Sequence, residues 1–483
     1  MEQVLLDNLL AATGGEAVGF GDDRTIFPRI RIDSRVVRPG DLFWALRGRR
    51  LDGHRFAEDS LRRGAAGCLV ERSRWSGRTA VPAIVVENSL TALWDFARWH
   101  RRRQDATVIG VTGSFGKTTT REMIRVVLEQ QFRGTASPKN FNNHFGVPLS
   151  VLGIDNQHEF AVLELAASRP GEIRDLAEMA GPNIGAVTGI GPAHWQGFGS
   201  HDSIIETKAA LIDALPASGL AILSGDDPAV RSMARRAGCS VKWVGKQTRN
   251  DIRAVDVQAR GGRLSFRVGK TDYTLPVSGR HHLTSALIAI AVAEEFGLET
   301  RQIVNGLKAF EPLPGRCRIE QIGPWKVIDD TYNAGPDSVA AACRLLRDLR
   351  QERHPSDGKT ILVLGDMLEL GEMADQFHRE AGRRAAKMGI DQLLAYGDCS
   401  RHVTDGAQAG GMDVDCLAAG TDFRRLLGVL DDRLRPGDIV LVKGSRAMRM
   451  ERVVDWLRSQ DERQNNETSC ENKTSRVPSR ACV

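Results

Sequence analysis

Between residues 105 and 312 the apolar positions switch repeatedly between two patterns. Short, mainly apolar runs at 106–111, 160–165, 184–188, 220–223 and 241–244 each predict a buried strand. The stretches between them carry helical spacing, most plainly the amphipathic run 118–132 behind a glycine-rich turn. Strand, turn and helix in alternation predict a mostly parallel sheet with helices on both faces. Residues 281–296, rich in Ala, Ile and Leu, read as a further helix. After the segment Glu311-Pro312-Leu313-Pro314-Gly315 a second alternating set begins, with strands predicted at 326–329, 360–364, 392–396 and 438–442. Four strands with crossovers make a smaller α/β domain. Residues 1–104 mix short apolar runs such as 83–86 with turn-rich stretches. They end in a helix-spaced segment, 92–100, and in Arg101-Arg102-Arg103, which read as a solvated end or linker. Beyond Ser459 the chain turns polar and reads as a disordered tail. The expected organisation is α/β in three domains, 1–104, 105–312 and 313–459, with a tail over 460–483.

A chain of 483 residues is long enough for those domains, and 41% hydrophobic with 26% charged residues is the composition of globular proteins. No apolar run approaches the roughly 18 residues that span a bilayer, and Met1-Glu2-Gln3 does not begin a signal peptide. A cytoplasmic protein is expected, with no membrane insertion. The net charge of +5 gives no polyelectrolyte footprint, so nucleic acid is not an expected partner. Arginine dominates the basic residues, and the first lysine is Lys117. Eight cysteines without a C-x-x-C pair point to reduced thiols, neither a disulfide framework nor a zinc site.

Thr112-Gly113-Ser114-Phe115-Gly116-Lys117-Thr118-Thr119 lies between a predicted strand and a predicted helix, the setting of a phosphate-cradling loop. Glycines let backbone N–H groups converge on an anion, and the helix N-terminus adds partial positive charge. Lys117 would meet the β- and γ-phosphates of ATP, and the Thr118 hydroxyl would ligate Mg²⁺. Val111 stands where the strict motif begins with Gly. Glu164, ending an apolar strand, and His194, after Ile190-Gly191-Pro192-Ala193, are candidate Mg²⁺ ligands. Each also fits a purely structural role.

Asp33-Ser34-Arg35, the run from Pro39 to Gly48 and Asp52 to Phe56 resemble the nucleotide-sugar domain of the Mur ligases. Thr112 to Thr119, Asn140 to Pro148, Gly191 to His194 and Glu206-Thr207-Lys208 resemble their central ATPase domain. Leu313 to Arg316, Asp329 to Ser338, Leu364 to Glu372 and Val442 to Arg446 resemble their C-terminal Rossmann-like domain, in the MurF type. The resemblance implies an ATP-dependent amide ligase of peptidoglycan precursor synthesis. Such an enzyme joins D-Ala-D-Ala to the terminal carboxylate of UDP-MurNAc-tripeptide through an acyl phosphate, and it is expected to be a monomer. It implies catalytic roles for Lys117, Lys208, His194 and Arg316, with Lys208 carboxylated and ligating Mg²⁺ beside Thr118, Glu164 and His194. Asp330 would join the phosphate loop in binding ATP. Ser34, Arg35 and His54 would contact the uridine diphosphate, and Asn142 and Asn143 the muramoyl group. Asn333, Lys443 and Arg446 would serve the dipeptide or the closed interface. Gly189, His282, Ser285 and Gly335 stand where that pattern has Asn, which puts adenine recognition and dipeptide positioning in question. A sister ligase with another amine substrate, or a nucleotide-binding protein without turnover, remains an alternative.

Overall fold

The computed structural model describes residues 3–21, 25–48, 51–75, 82–352, 354 and 357–474. Its strands form three main sheets, matching the α/β reading, and a two-stranded pairing of Val4–Leu5 with Ile26–Phe27. The N-terminal sheet runs Glu16–Val18, Ala83–Val86, Gly67–Glu71, Leu42–Trp44, Ile30–Arg31, antiparallel only at its first pair. Helix Ser89–Arg101, capped by the Asn88 side chain accepting from Leu90 and Thr91 N–H, leads out of it. Arg101 does not end as a solvated residue. Its guanidinium donates to the carbonyls of Ala180 and Gly181 at the end of helix Glu172–Ala180, and so ties the first unit to the second. Unpaired helix-end carbonyls attract such a cation.

The central sheet has nine strands. From one edge the order is Thr271–Leu275, Arg263–Val268, Ile252–Arg260, Ser240–Gly245, Leu220–Ser224, Ile184–Val187, Thr107–Thr112, Phe160–Glu164, Gly134–Ala136. The expected parallel strands are all present. Ile252–Leu275 adds an antiparallel extension that the apolar runs did not announce. Thr107–Thr112 sits between Ile184–Val187 and Phe160–Glu164, where the strand order reverses. In open α/β sheets ligand sites lie at the carboxyl ends of the strands flanking such a reversal.

The C-terminal sheet has six strands rather than four: Arg318–Ile322, Trp325–Asp330, Ile439–Lys443, Thr360–Gly365, Gln392–Tyr396, Leu417–Gly420. The two unanticipated strands lie on its edges. The last helix, Glu451–Thr474, carries Val453, Val454 and Leu457 into the core beside Trp325 and Val363. It continues past Ser459 to Thr474, so the expected tail is helical that far, and residues 475–483 lie outside the described residues. Polarity removed the packing signal but not helix propensity: once a packed segment supplies the nucleus, adding Glu, Gln, Arg and Lys costs little.

Candidate active site

The phosphate loop leaves the carboxyl end of Thr107–Thr112 and turns through Gly113 (φ 144°) and Gly116 (φ 77°) into helix Lys117–Leu128. Both glycines hold backbone that side-chain-bearing residues avoid. A Cβ at Gly113 would in addition stand 2.1 Å from Thr188 Oγ1. That hydroxyl donates to the carbonyls of Thr112 and Phe115 and fastens the loop to the neighbouring strand end. Ser114 N–H donates to the Gly189 carbonyl at 2.8 Å, and Ser114 Oγ bonds both the carbonyl and the N–H of Gly191. The helix is held by an apolar stripe, Met123, Ile124, Val127 and Leu128, packed against the apolar helix Leu283–Glu295.

Lys117 Nζ donates to the Gly113 carbonyl at 2.7 Å. Burial lowers its pKa, with the Glu164 carboxylate opposing and the Arg316 cation reinforcing the shift. Glu164, at the carboxyl end of its strand, is buried; its oxygens accept from Asn142 Nδ2 (2.8 Å) and Arg121 Nη1 (3.4 Å). Lys208 is 2% exposed on helix His201–Asp213, its Nζ 3.4 Å from the Ala167 carbonyl and 5.4 Å from the Phe198 ring. Burial drives its pKa well below the usual lysine value, the Lys117 charge adds to this, and Glu172 opposes it. His194 stands apart from that set. It adopts φ 56°, and its Nδ1 pairs with the Glu369 carboxylate of the C-terminal domain.

The C-terminal domain closes the other side. Arg316 Nη2 donates to Thr118 Oγ1 at 3.0 Å, and its guanidinium lies 3.8 Å from the Tyr332 ring centre. Asp330 and Lys443 end adjacent parallel strands in register, and Lys443 Nζ donates to Asp330 Oδ2 (2.5 Å) and to the Asn333 carbonyl (2.9 Å). Arg446 is exposed and lines a cavity of about 650 Å³ together with Thr118, Arg121, Lys139, Arg316 and Tyr332. Asp337, in the first turn of helix Pro336–Gln351, reaches Gly191, where a Cβ would meet its Oδ2 at 1.7 Å. Gly191→Ala is expected to keep nucleotide binding but hold the domains apart. Turnover should fall about 10²-fold, as for reacting groups misplaced by about 1 Å; kcat beside nucleotide affinity checks this, and unchanged kcat would refute it.

The remaining positions are less gathered. Ser34 is buried, and the Arg35 guanidinium is bound to Asp33 Oδ1 and Oδ2 at 2.9 and 2.7 Å. His54 Nε2 accepts from Glu71 N–H, and its Nδ1 bonds Asp52, so both ring nitrogens serve the N-terminal domain. Asn143 Oδ1 accepts from Phe145 and Gly146 N–H, a loop-and-cap role. Of the departures, Gly189 lies under the Phe115 ring, where a Cβ would stand 2.6 Å from Cζ, and Ser285 Oγ accepts from Thr120 Oγ1 at 2.8 Å. Residues not singled out from sequence include Arg121, Thr188, Asp337 and Glu369; each acts through a partner distant in the chain, which no local motif records.

Three family models match in order: "Mur ligase family, catalytic domain" over 28–100, "Mur ligase middle domain" over 111–293, and "Mur ligase, glutamate ligase domain" over 315–446. A UDP-N-acetylmuramoyl-tripeptide--D-alanyl-D-alanine ligase of Bacillus subtilis is 34% identical, covering 90% of this chain and 94% of its own. The chain belongs to the Mur ligase family. Among solved Mur ligases, MurF from Acinetobacter baumannii superposes with a TM-score of 0.86 at 28% identity, covering 95% of this chain and 99% of its own. MurF from Thermotoga maritima, solved in complex with ADP, gives 0.77 at 29% identity, covering 90% and 98%. Among the described residues no helix is long and apolar enough to cross a membrane.

Proposed function

We propose that this Mur ligase uses ATP to join D-Ala-D-Ala to the terminal carboxylate of UDP-MurNAc-tripeptide. The observation that carries the reading is the bond from Arg316, in the C-terminal domain, to Thr118 in the phosphate loop. It brings a cation from one domain to the phosphate site of another, as a reaction gated by closure requires. The MurF relatives supply the substrate identities.

A carboxylate does not condense with an amine unaided. One of its oxygens attacks the γ-phosphorus, the bond to the β-phosphate oxygen breaks, and ADP leaves. The neutral amine then attacks the acyl carbon of the mixed anhydride, inorganic phosphate leaves, and the amine gives up a proton as the amide forms. The protein's task is positioning and charge neutralisation. The loop's backbone N–H groups and Lys117 hold the phosphates, Arg316 closes over the transferring group, and Asp330 holds the ribose.

Thr118, in the first turn of the helix that follows strand Thr107–Thr112, and Glu164, at the end of the neighbouring strand, offer hard oxygen ligands, a donor set that suits Mg²⁺. When bound, Mg²⁺ neutralises phosphate charge. His194 would join them after releasing Glu369. Lys208, kept neutral by its surroundings, would take up carbon dioxide at Nζ and lose a proton, giving a carbamate that adds a negative oxygen ligand. Ser34 and Arg35 would face the uridine diphosphate, and Asn142 the muramoyl group. Asn333 and Arg446 would line the dipeptide side, while Lys443, buried with its Nζ on Asp330 and the Asn333 carbonyl, would brace that segment from behind. His54 and Asn143, whose bonding atoms already serve their own domains, would act by shaping their loops.

Purified protein with UDP-MurNAc-tripeptide, ATP and Mg²⁺ is expected to release phosphate only when D-Ala-D-Ala is added, and to yield a pentapeptide product by mass. Release with another amine and none with D-Ala-D-Ala would replace the substrate assignment. ATP binding without release under any amine would remove the enzymatic one.

A further inference from the structure

Two clusters of metal-ligating side chains occur among the described residues: His281, His282 and Cys317, and Asp366, His378 and Cys399. In each, one ligand atom per residue lies within 4.8 Å of the others. The second cluster is closed to a cation. His378 Nε2 accepts from Met367 N–H and Nδ1 bonds the Ala374 carbonyl, so its ring has no lone pair to give.

The first cluster differs. His282 is buried, 5% exposed, and its Nε2 has no hydrogen-bond partner among the described residues. An unpaired polar atom at such depth calls for an explanation, and an absent ligand is one. Cys317 is also buried, at φ 54° on the turn after Arg316, while His281 is exposed and opens the cluster to solvent. Two imidazoles and a thiol form the donor set of tetrahedral zinc, with the fourth position left for water.

We propose that His281, His282 and Cys317 bind a borderline-soft divalent cation of the zinc class at the seam between the central and C-terminal domains. The proposal does not rest on the ligase reading, but the cluster adjoins Arg316 and Asp330, which that reading gives to the nucleotide, so nucleotide is expected to compete with the ion. The histidines begin helix Leu283–Glu295 of the central domain, and Cys317 precedes strand Arg318–Ile322 of the C-terminal one, so the ion would clamp the two together. Burial keeps the His282 ring neutral, as a ligand must be. Burial and the nearby Asp330 carboxylate hold the thiol proton, which the metal would displace to solvent. Asp330 favours the added charge, while Lys443 and Arg316 beside Cys317, and Lys443 and Arg344 beside His281, oppose it. The affinity is therefore expected to be moderate, about micromolar by comparison with closed structural zinc sites.

The test is a Co²⁺ titration of the full chain without nucleotide, followed by absorbance. The expected result is one equivalent bound with tetrahedral visible bands and a near-ultraviolet thiolate-to-cobalt band, all displaced by Zn²⁺. Cys317→Ser should abolish the thiolate band, and His282→Asn should weaken binding at least about tenfold, since loss of an outer-shell partner alone already costs about 10–100-fold. Cys399→Ser should change neither. Circular dichroism melts of the metal-free variants identify any that fail to fold. For those, wild-type chain is alkylated with and without Zn²⁺ and mapped by mass, with protection expected at Cys317. The proposal is overturned by absence of the thiolate band in wild type, by its persistence in folded Cys317→Ser, by its loss in Cys399→Ser, or by unprotected Cys317.

Discussion

Lys117→Ala is expected to lower kcat about 10³-fold, near the upper end of what one preorganised charge contributes, while the melting curve stays close to wild type. Among the described residues the ammonium donates only to the Gly113 carbonyl, next to Arg316 and without an ion pair of its own. Its depressed pKa means that folding disfavours its charged form, so removing the side chain forfeits no native ion pair. The expected function is otherwise: a triphosphate bound at the phosphate loop would bring several negative charges to the ammonium. Steady-state kinetics beside thermal unfolding decides the matter. Near-normal turnover would sink the phosphate-loop assignment, and a large loss of stability would recast Lys117 as structural.

Lys208 should give the second large effect, with an unusual signature. Lys208→Ala is expected to lose most activity; bicarbonate should not restore it, whereas short carboxylic acids should restore part by supplying the missing anion. Stability adds a second readout. The folded-state pKa lies below the unfolded value near 10.5, so between the two the unfolded chain binds more protons. Wild-type stability should therefore rise with pH across that window. Lys208→Met, which keeps the buried stem and drops the charge, should lose that dependence and be more stable than wild type at neutral pH. Urea unfolding at several pH values measures it; equal slopes for the two proteins would show that Lys208 is not held neutral.

Most of the parallel framework was legible because buried parallel strands are near-continuous apolar runs. Ile109, Val162, Ile222 and Leu362 lie in such runs, and each is a core residue. The missed strands have a different physical basis. Ile252–Arg260 and Arg263–Val268 bury alternate residues and meet at Gly261-Gly262, a period-two hairpin signal that a search for unbroken runs passes over. Arg318–Ile322 and Leu417–Gly420 are short edge strands with little buried side chain to mark them. At the candidate site the phosphate loop was legible because its chemistry is local. Arg121 on Glu164, Glu369 on His194 and Asp337 on Gly191 were not, because each pairing joins segments between 43 and 175 residues apart or crosses a domain seam. The histidine and cysteine cluster escaped for the same reason: spacing tests look for ligands near one another in the chain, and Cys317 approaches His281 and His282 only through the fold.

The contact between Gly191 and Asp337 has a bearing on inhibition. The domains meet there with clearance for a hydrogen atom and nothing larger. A small molecule resting one methyl group on that glycine would act as a doorstop, leaving the pockets for nucleotide and sugar unfilled. Its potency would be set by the work of bringing Asp337 down against it. Raising the concentration of either substrate would not dislodge it by direct competition, which is the usual way that cellular nucleotide defeats a drug aimed at an ATP pocket.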